Sequence, residues 1–226
     1  MGSCNHKPKN CVEIVPIFDG LNPDELMEIV NIAHAKRFEK GTMIYSMGDV
    51  NHALYVLYEG KIKINRTNSS GKEQVIRVLG PGEFLGEFAL FSEMELNENA
   101  EVIETATVCV IQSDEFRKMV AKHPSISFKI FDVLSRRLEK AEQTIEDISL
   151  KSVNQRISEM LLELFDEEDT VKLPMNKGDI ASQLGMSKES FSRKLTELEN
   201  MGIIEQSPQK MIHLKDRSKL EHLLES

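Results

Sequence analysis

The apolar residues Phe131, Leu134, Leu138, Ala141, Ile145 and Ile148 are spaced 3-4-3-4-3, which puts them in one stripe along an α-helix, the a/d pattern of a coiled-coil seam. Pro124 marks where this helix opens. At ~1.5 Å per residue a helix from Ser125 to Ser149 is roughly 37 Å long, more than one small domain can cover. The spacing therefore predicts a partner helix, most simply the same helix of a second copy. The competing reading is a single amphipathic helix packed on its own domain.

The 226 residues suit one large domain or two modest ones, and 40% hydrophobic with 29% charged residues is ordinary globular composition. No run approaches the ~18 apolar residues that a membrane span needs. The segment Met1-Gly2-Ser3-Cys4-Asn5-His6-Lys7-Pro8 lacks the apolar stretch of a secretory signal, and three cysteines are too few and too odd in number for a secreted disulfide scaffold. A cytoplasmic protein without a membrane partner is the expectation. The net charge of -9 argues against nucleic acid, but it is uneven, since residues 171–226 carry nine basic against eight acidic side chains. A few cations on one face suffice for DNA.

From about Phe38 to Ile111 short β-runs alternate with glycines: Thr42–Tyr45, Leu54–Tyr58, Lys61–Ile64, Glu73–Leu79 and Thr107–Ile111, with Gly41, Gly48, Gly60, Gly71, Gly80, Gly82 and Gly86 at or near their ends. This reads as a β-barrel or β-roll. Before it, Asn22-Pro23-Asp24-Glu25-Leu26 resembles a capped short helix with Pro23 at its first position. After the seam, Val153, Ile157, Met160, Leu161, Leu164 and Phe165 mark another amphipathic helix, closed by the acidic run Asp166-Glu167-Glu168-Asp169. Residues 176–184 and a helix from the N-cap Ser187 to about Asn200 flank a turn at Gly185-Met186, a helix-turn-helix arrangement. Ile203–Gln206 and Met211–Leu214 around Ser207-Pro208-Gln209-Lys210 add a hairpin, so the module is winged. The expected organisation is α+β: a jelly-roll-like sensor over residues 1–124, a dimerisation helix over 125–150 and a winged helix-turn-helix over 151–226.

On the helix that opens at Ser187, Phe191, Leu195 and Leu198 fall on one face and Glu189, Ser192 and Arg193 on another. A guanidinium can bond the O6/N7 edge of guanine twice, a carboxylate accepts from the cytosine amine, and a hydroxyl adapts to several base edges. The alternative is a solvated helix with an i,i+4 ion pair between Glu189 and Arg193. The preceding turn, the following hairpin and the upstream seam favour DNA.

Taken in order, Glu59-Gly60-Lys61-Ile62, Pro81-Gly82-Glu83-Phe84-Leu85-Gly86-Glu87-Phe88-Ala89-Leu90, the long helix and the winged module resemble the bacterial CRP/FNR transcription regulators over essentially the whole chain. The resemblance implies a homodimer on double-stranded DNA that works with RNA polymerase. In cyclic-AMP-binding members the Gly-Glu pair is followed by an Arg-Ser pair that neutralises the cyclic phosphate. Here Gly86-Glu87 is followed by Glu95-Leu96-Asn97-Glu98-Asn99-Ala100, so an anionic phosphate meets carboxylates instead of a guanidinium, and no cyclic-nucleotide binding is expected. Glu189-x-x-Ser192-Arg193 resembles the reader of the FNR branch, which implies TTGA-type half-sites, with Arg193 on the guanine, Glu189 on the opposing cytosine and Ser192 on a thymine. Lys188 and Lys194 would contact phosphates, which position without specifying.

In the oxygen sensor of that branch four cysteines hold an iron–sulfur cluster. This chain offers Cys4 and Cys11 near its start and Cys109 in the Thr107–Ile111 run, so a cluster would need His6 or a carboxylate as a fourth ligand. A disulfide switch needs only two thiols, and Cys11 with Cys109 resembles the pair that acts in FNR-like proteins without the cluster motif, leaving Cys4 as a resolving thiol or a bystander. A lone cysteine in an apolar strand is also, commonly, just a small buried hydrophobe. The expectation is a redox- or oxygen-responsive regulator with no cofactor. A regulator with another small-molecule effector, or with none, is the alternative. The six histidines show no paired zinc spacing, and with no nucleophile elbow, P-loop or HExxH a cupin-type barrel enzyme is the weaker class; neither a catalytic nor a metal site is expected.

Overall fold

The structure, a computed structural model, describes residues 14–87 and 95–224. The chain divides into two compact units, residues 1–137 and 138–226.

In the first unit α1 (Pro23–Ile32) starts where the sequence places its cap. Asn22 Oδ1 accepts from the Asp24 and Glu25 amides at 3.0 Å each, and Glu25 returns a carboxylate to the Asn22 amide at 2.8 Å. This reciprocal cap satisfies amides that the first turn leaves orphaned. Six strands follow: β1 (Ala33–Phe38), β2 (Met43–Tyr45), β3 (Ala53–Thr67), β4 (Glu73–Leu79), β5 (Phe84–Leu85) and β6 (Asn99–Gln112). All pair antiparallel in the order β1-β6-β3-β4, with β2 on β6 and β5 on β3. β3 and β6 are therefore the spine of the roll.

Two buried clusters fill it. One gathers Leu57, Ile62, Ile64, Leu79, Leu85, Val102 and Val108. The other gathers Val15, Phe18, Ile29, Leu54, Cys109, Ile111 and Phe116 with Ile126 and Ile130. The second cluster takes in α2 (Ser113–Lys122) and the first turns of α3 (Ser125–Leu150). His123, between those helices, reaches back to α1, with Nδ1 3.1 Å from Glu25 Oε1 and Nε2 3.2 Å from Glu28 Oε2. α2 is absent from the sequence reading because it follows β6 with neither glycine nor proline between.

The second unit holds the rest of α3, then α4 (Val153–Leu164), β7 (Thr170–Lys172), α5 (Lys177–Gln183), α6 (Lys188–Asn200), β8 (Ile204–Ser207), β9 (Met211–Leu214) and α7 (Arg217–His222). The expected hairpin is present, with Ser207 opposite Met211, and Gln209 and Lys210 at its tip take positive φ. β7 makes it a three-stranded sheet in the order β7-β9-β8; only three residues long after an acidic run, β7 left no readable alternation. The fold is α+β, an antiparallel roll with a C-terminal winged helix-turn-helix. Among the described residues no helix is long and apolar enough to cross a membrane.

Gly60 shows why the roll needs glycine inside its longest strand. It has φ +93°, and a Cβ there would lie 2.7 Å from Ala106 Cα and against the Thr105 carbonyl. The β3–β6 register shifts on both sides of it, so backbone crosses closely where the strand bends. Gly60→Ala is expected to cost about 2–4 kcal/mol by forcing both strain and backbone displacement. Urea unfolding checks this, and an unchanged midpoint would contradict it.

Candidate nucleic-acid interface and the interior of the roll

The helix that the sequence offers for base reading is built as expected. Ser187 Oγ accepts from the Ser190 amide at 3.1 Å, so α6 starts at Lys188. Phe191 and Leu195 are fully buried and Leu198 nearly so, which turns the opposite face outward. There Lys188, Glu189 and Arg193 are exposed and Ser192 is half-buried. Neither Glu189 nor Arg193 has an ion-pair partner among the described residues, whereas Lys194 lies 2.5 Å from Glu197. This cation and carboxylate are thus open, on the helix half that enters a groove in this motif.

A lock that the sequence did not reveal braces the wing. Lys177 Nζ donates to Gln206 Oε1 at 2.6 Å, while Glu199 accepts from the Gln206 amide at 2.8 Å and from its side chain at 2.9 Å. One glutamine so ties α5, α6 and β8 together.

The seam residues divide along α3. Phe131 is 58% exposed, Leu138 61% and Ile145 67%; Ala141 is open as well. Leu134 packs on the roll's core, and Ile148, 42% exposed, lies beside Gly185 of the helix-turn-helix turn.

Cys109 is fully buried in β6, paired across the sheet with Ala35 and Val56, and it is disulfide-bonded. The chain's other cysteines, Cys4 and Cys11, lie outside the described residues, as does His6.

Two family models match in the order in which these parts occur: the cyclic nucleotide-binding domain over residues 35–123 and the Crp-like helix-turn-helix domain over 155–223. A probable transcriptional regulator, flp, of Lacticaseibacillus casei is 33% identical over 88% of this chain and 91% of its own. The chain belongs to the CRP/FNR family. The cyclic AMP receptor protein of Thermus thermophilus is 27% identical over 85% of this chain and 89% of its own. The structure of FixK2 from Bradyrhizobium japonicum superposes with a TM-score of 0.72 at 23% identity, over 85% of this chain and 97% of that one. The protein is a transcription regulator with a DNA-binding helix-turn-helix, and such regulators are not enzymes.

In this CRP/FNR member the roll's Gly-Glu carboxylate is already taken. Glu87 Oε1 accepts from Arg137 Nη1 at 2.6 Å and from Arg77 Nη2 at 3.0 Å. Arg137 also donates to the Phe84 carbonyl at 2.7 Å and lies 4.5 Å above the Phe84 ring. Arg77 Nη2 is 3.8 Å from Glu98, whose Oε1 accepts from Tyr45 at 3.0 Å. Burial pushes the Glu98 carboxyl up while Arg77 pulls it down, and burial with the two nearby carboxylates pushes the Tyr45 hydroxyl far up. Glu98 belongs to the very run expected to repel a phosphate; it is buried at 2% exposure and partly balanced by an arginine from another strand. Arg77 was detectable in principle: Val75, Arg77 and Leu79 alternate along β4 on its inward face, an arginine where an aliphatic residue would be ordinary. Arg137, next to seam residue Leu138, carries no such signal.

Removing the shared carboxylate leaves two partly buried guanidiniums facing each other. Glu87→Ala is therefore expected to destabilise the first unit by about 3–5 kcal/mol. Thermal and urea melts check this; stability within about 0.5 kcal/mol of the parent would contradict it.

Proposed function

We propose that the protein is a homodimeric, sequence-specific regulator of the FNR branch, reading an inverted repeat of TTGA-type half-sites in the cytoplasm and working there with RNA polymerase. Thiol oxidation at Cys109 sets its affinity for DNA, and it needs no cofactor. The observation that carries the reading is the open face of α6, where Arg193 and Glu189 have no ion-pair partner among the described residues and lie beside Ser192. Arg193 takes the guanine edge, Glu189 the opposing cytosine amine and Ser192 a thymine, with Lys188 on a phosphate. Lys194, held by Glu197, adds less.

Redox control is supported by where Cys109 sits. It shares its buried cluster with Ile126 and Ile130, the first turns of α3, so closing or opening its disulfide acts beside the root of the seam helix. Three cysteines in the whole chain favour a dithiol switch over an iron–sulfur cluster, which takes four thiolates. Cyclic nucleotides are not proposed as the signal: Arg77 and Arg137 are both engaged by Glu87, and Arg77 also lies near Glu98, so these guanidiniums are already committed to carboxylates rather than to a cyclic phosphate.

The test is a titration of a labelled TTGAT-type inverted repeat with reduced and with mildly oxidised protein at fixed salt, beside a scrambled duplex. Affinity is expected to change on oxidation, to recover with dithiothreitol and to lose this response in Cys109→Ser. Arg193→Ala should remove about 1–3 kcal/mol of preference for the repeat, while Lys188→Ala weakens both duplexes alike. Equal losses on both duplexes for Arg193→Ala would refute the base-reading assignment, and redox-indifferent binding would refute the switch. Calorimetry with cyclic AMP is expected to register no binding; saturable heat would overturn the ionic-interior argument.

A further inference from the structure

We infer that Ile148 and Arg156 clamp the turn of the helix-turn-helix to the end of α3, and that this clamp sets the half-site spacing the regulator accepts. The spacing claim rests on the proposed reading of a palindrome; the clamp itself does not.

Gly185 opens the turn between α5 and α6 with φ +69°, and a Cβ added there would lie 2.9 Å from Ile148 Cδ1, 3.0 Å from Ile148 Cγ1 and 3.2 Å from Arg156 Nη1. The side chain of Ile148 thus rests directly on turn backbone. Arg156, from α4, donates through Nη1 to the Leu184 carbonyl. That carbonyl ends α5, where unsatisfied acceptors and the helix dipole favour a cation. Arg156 Nε is buried with no partner among the described residues, so the Leu184 contact is what orients the guanidinium.

The elbow behind these two side chains is itself stapled. Lys151 Nζ lies 2.8 Å from Asp147 Oδ1 on α3 and 2.6 Å from Glu159 Oε2 on α4. Partial burial raises the Asp147 carboxyl, but hydrogen bonds from Lys151 and Gln143 outweigh it and hold Asp147 below the ordinary carboxylate range; the same bonds from Asp147 and Glu159 raise Lys151. Ser152 and Gln155 then cap α4 reciprocally. Yet beside the clamp a cleft of about 580 Å³ runs between α3, α4 and α5, with Ile148, Arg156, Met160, Met175, Ile180 and Leu184 among its walls. The turn meets the helices behind it through these contacts at the rim of the cleft. Loosening those contacts frees the reading helix to swivel without emptying the core around Phe191 and Leu195.

In a two-fold regulator the reading helices meet half-sites about one helical turn apart, roughly 34 Å. One added base pair displaces a half-site by about 3.4 Å along the DNA and turns it by roughly a tenth of a turn. A stiff elbow resists that displacement and a loose one absorbs it.

The experiment measures affinity for inverted repeats with the preferred spacer and with one base pair more or fewer, for wild type, Ile148→Ala and Arg156→Gln. Arg156 lies off the seam, so its variant separates the clamp from dimerisation. Wild type is expected to lose at least tenfold on the altered spacers, and both variants to narrow that ratio to about threefold or less. A head that is merely destabilised weakens every duplex and leaves the ratio as it was, and that outcome overturns the inference. Without DNA, hydrogen exchange at the Gly185 and Met186 amides, bonded to Ser182 and Ala181, should accelerate at least tenfold in both variants, while Leu195 keeps its protection. Unchanged exchange overturns the clamp. Wild type that does not prefer the repeat to scrambled DNA refutes the palindrome reading and the spacing claim with it, and exchange alone then decides the clamp.

Discussion

Ile126 and Ile130, in the first turns of α3, are 1% and 2% exposed within the roll's core, whereas Leu138, Ile145 and Leu150 further along are 61%, 67% and 76% exposed. One continuous helix is therefore anchored by ordinary hydrophobic burial at its start and carries bare aliphatic side chains beyond it. At ~25 cal/mol per Å², several uncovered side chains in register form a sizeable drive for association. The roll holds the helix through that anchored part, and the winged module follows the helix's far end in the chain.

Two polar or covalent features of the roll lie close to that anchor. The Cys109 disulfide sits in the cluster that buries Ile126 and Ile130. The Glu87 network reaches α3 directly through Arg137, one residue before the exposed Leu138. A carboxylate bonded to two guanidiniums is costly to disturb, because either partner left alone is a poorly solvated charge. The network thus fixes the helix against the roll, and in the proposed scheme the disulfide is the variable element. Arg77 reaches Glu87 from β4, and the chain has three cysteines where an iron–sulfur cluster takes four thiolates.

Much of this was legible in the sequence because it depends on local rules. Asn22-Pro23 with Glu25 announced α1, Ser187 announced α6, and the alternation around Ile62, Val75 and Val108 announced the strands. The reading face of α6 followed from helical spacing, since Phe191, Leu195 and Leu198 had to turn inward. What escaped depends on contacts across the chain. β6 extends back to Asn99 through a stretch rich in glutamate and threonine whose partners on β3 decide its conformation. The Glu87 network joins residues 10 and 50 positions apart, and the Lys177–Gln206–Glu199 lock joins residues 29 and 7 apart. Ile148 shows the limit of periodicity: the heptad assigns it to the seam, and only the fold shows it resting on the glycine of the turn.

The central claim is that the bare stripe of α3 is covered by a second copy of the same helix. Sedimentation equilibrium of the reduced chain at micromolar concentration, alone and with Leu138→Glu and Ile145→Glu introduced together, tests it most directly. The account predicts twice the 25.7 kDa of one chain for the parent and a folded monomer for the double variant. A parent that sediments as a monomer, or a double variant that stays dimeric, would contradict it.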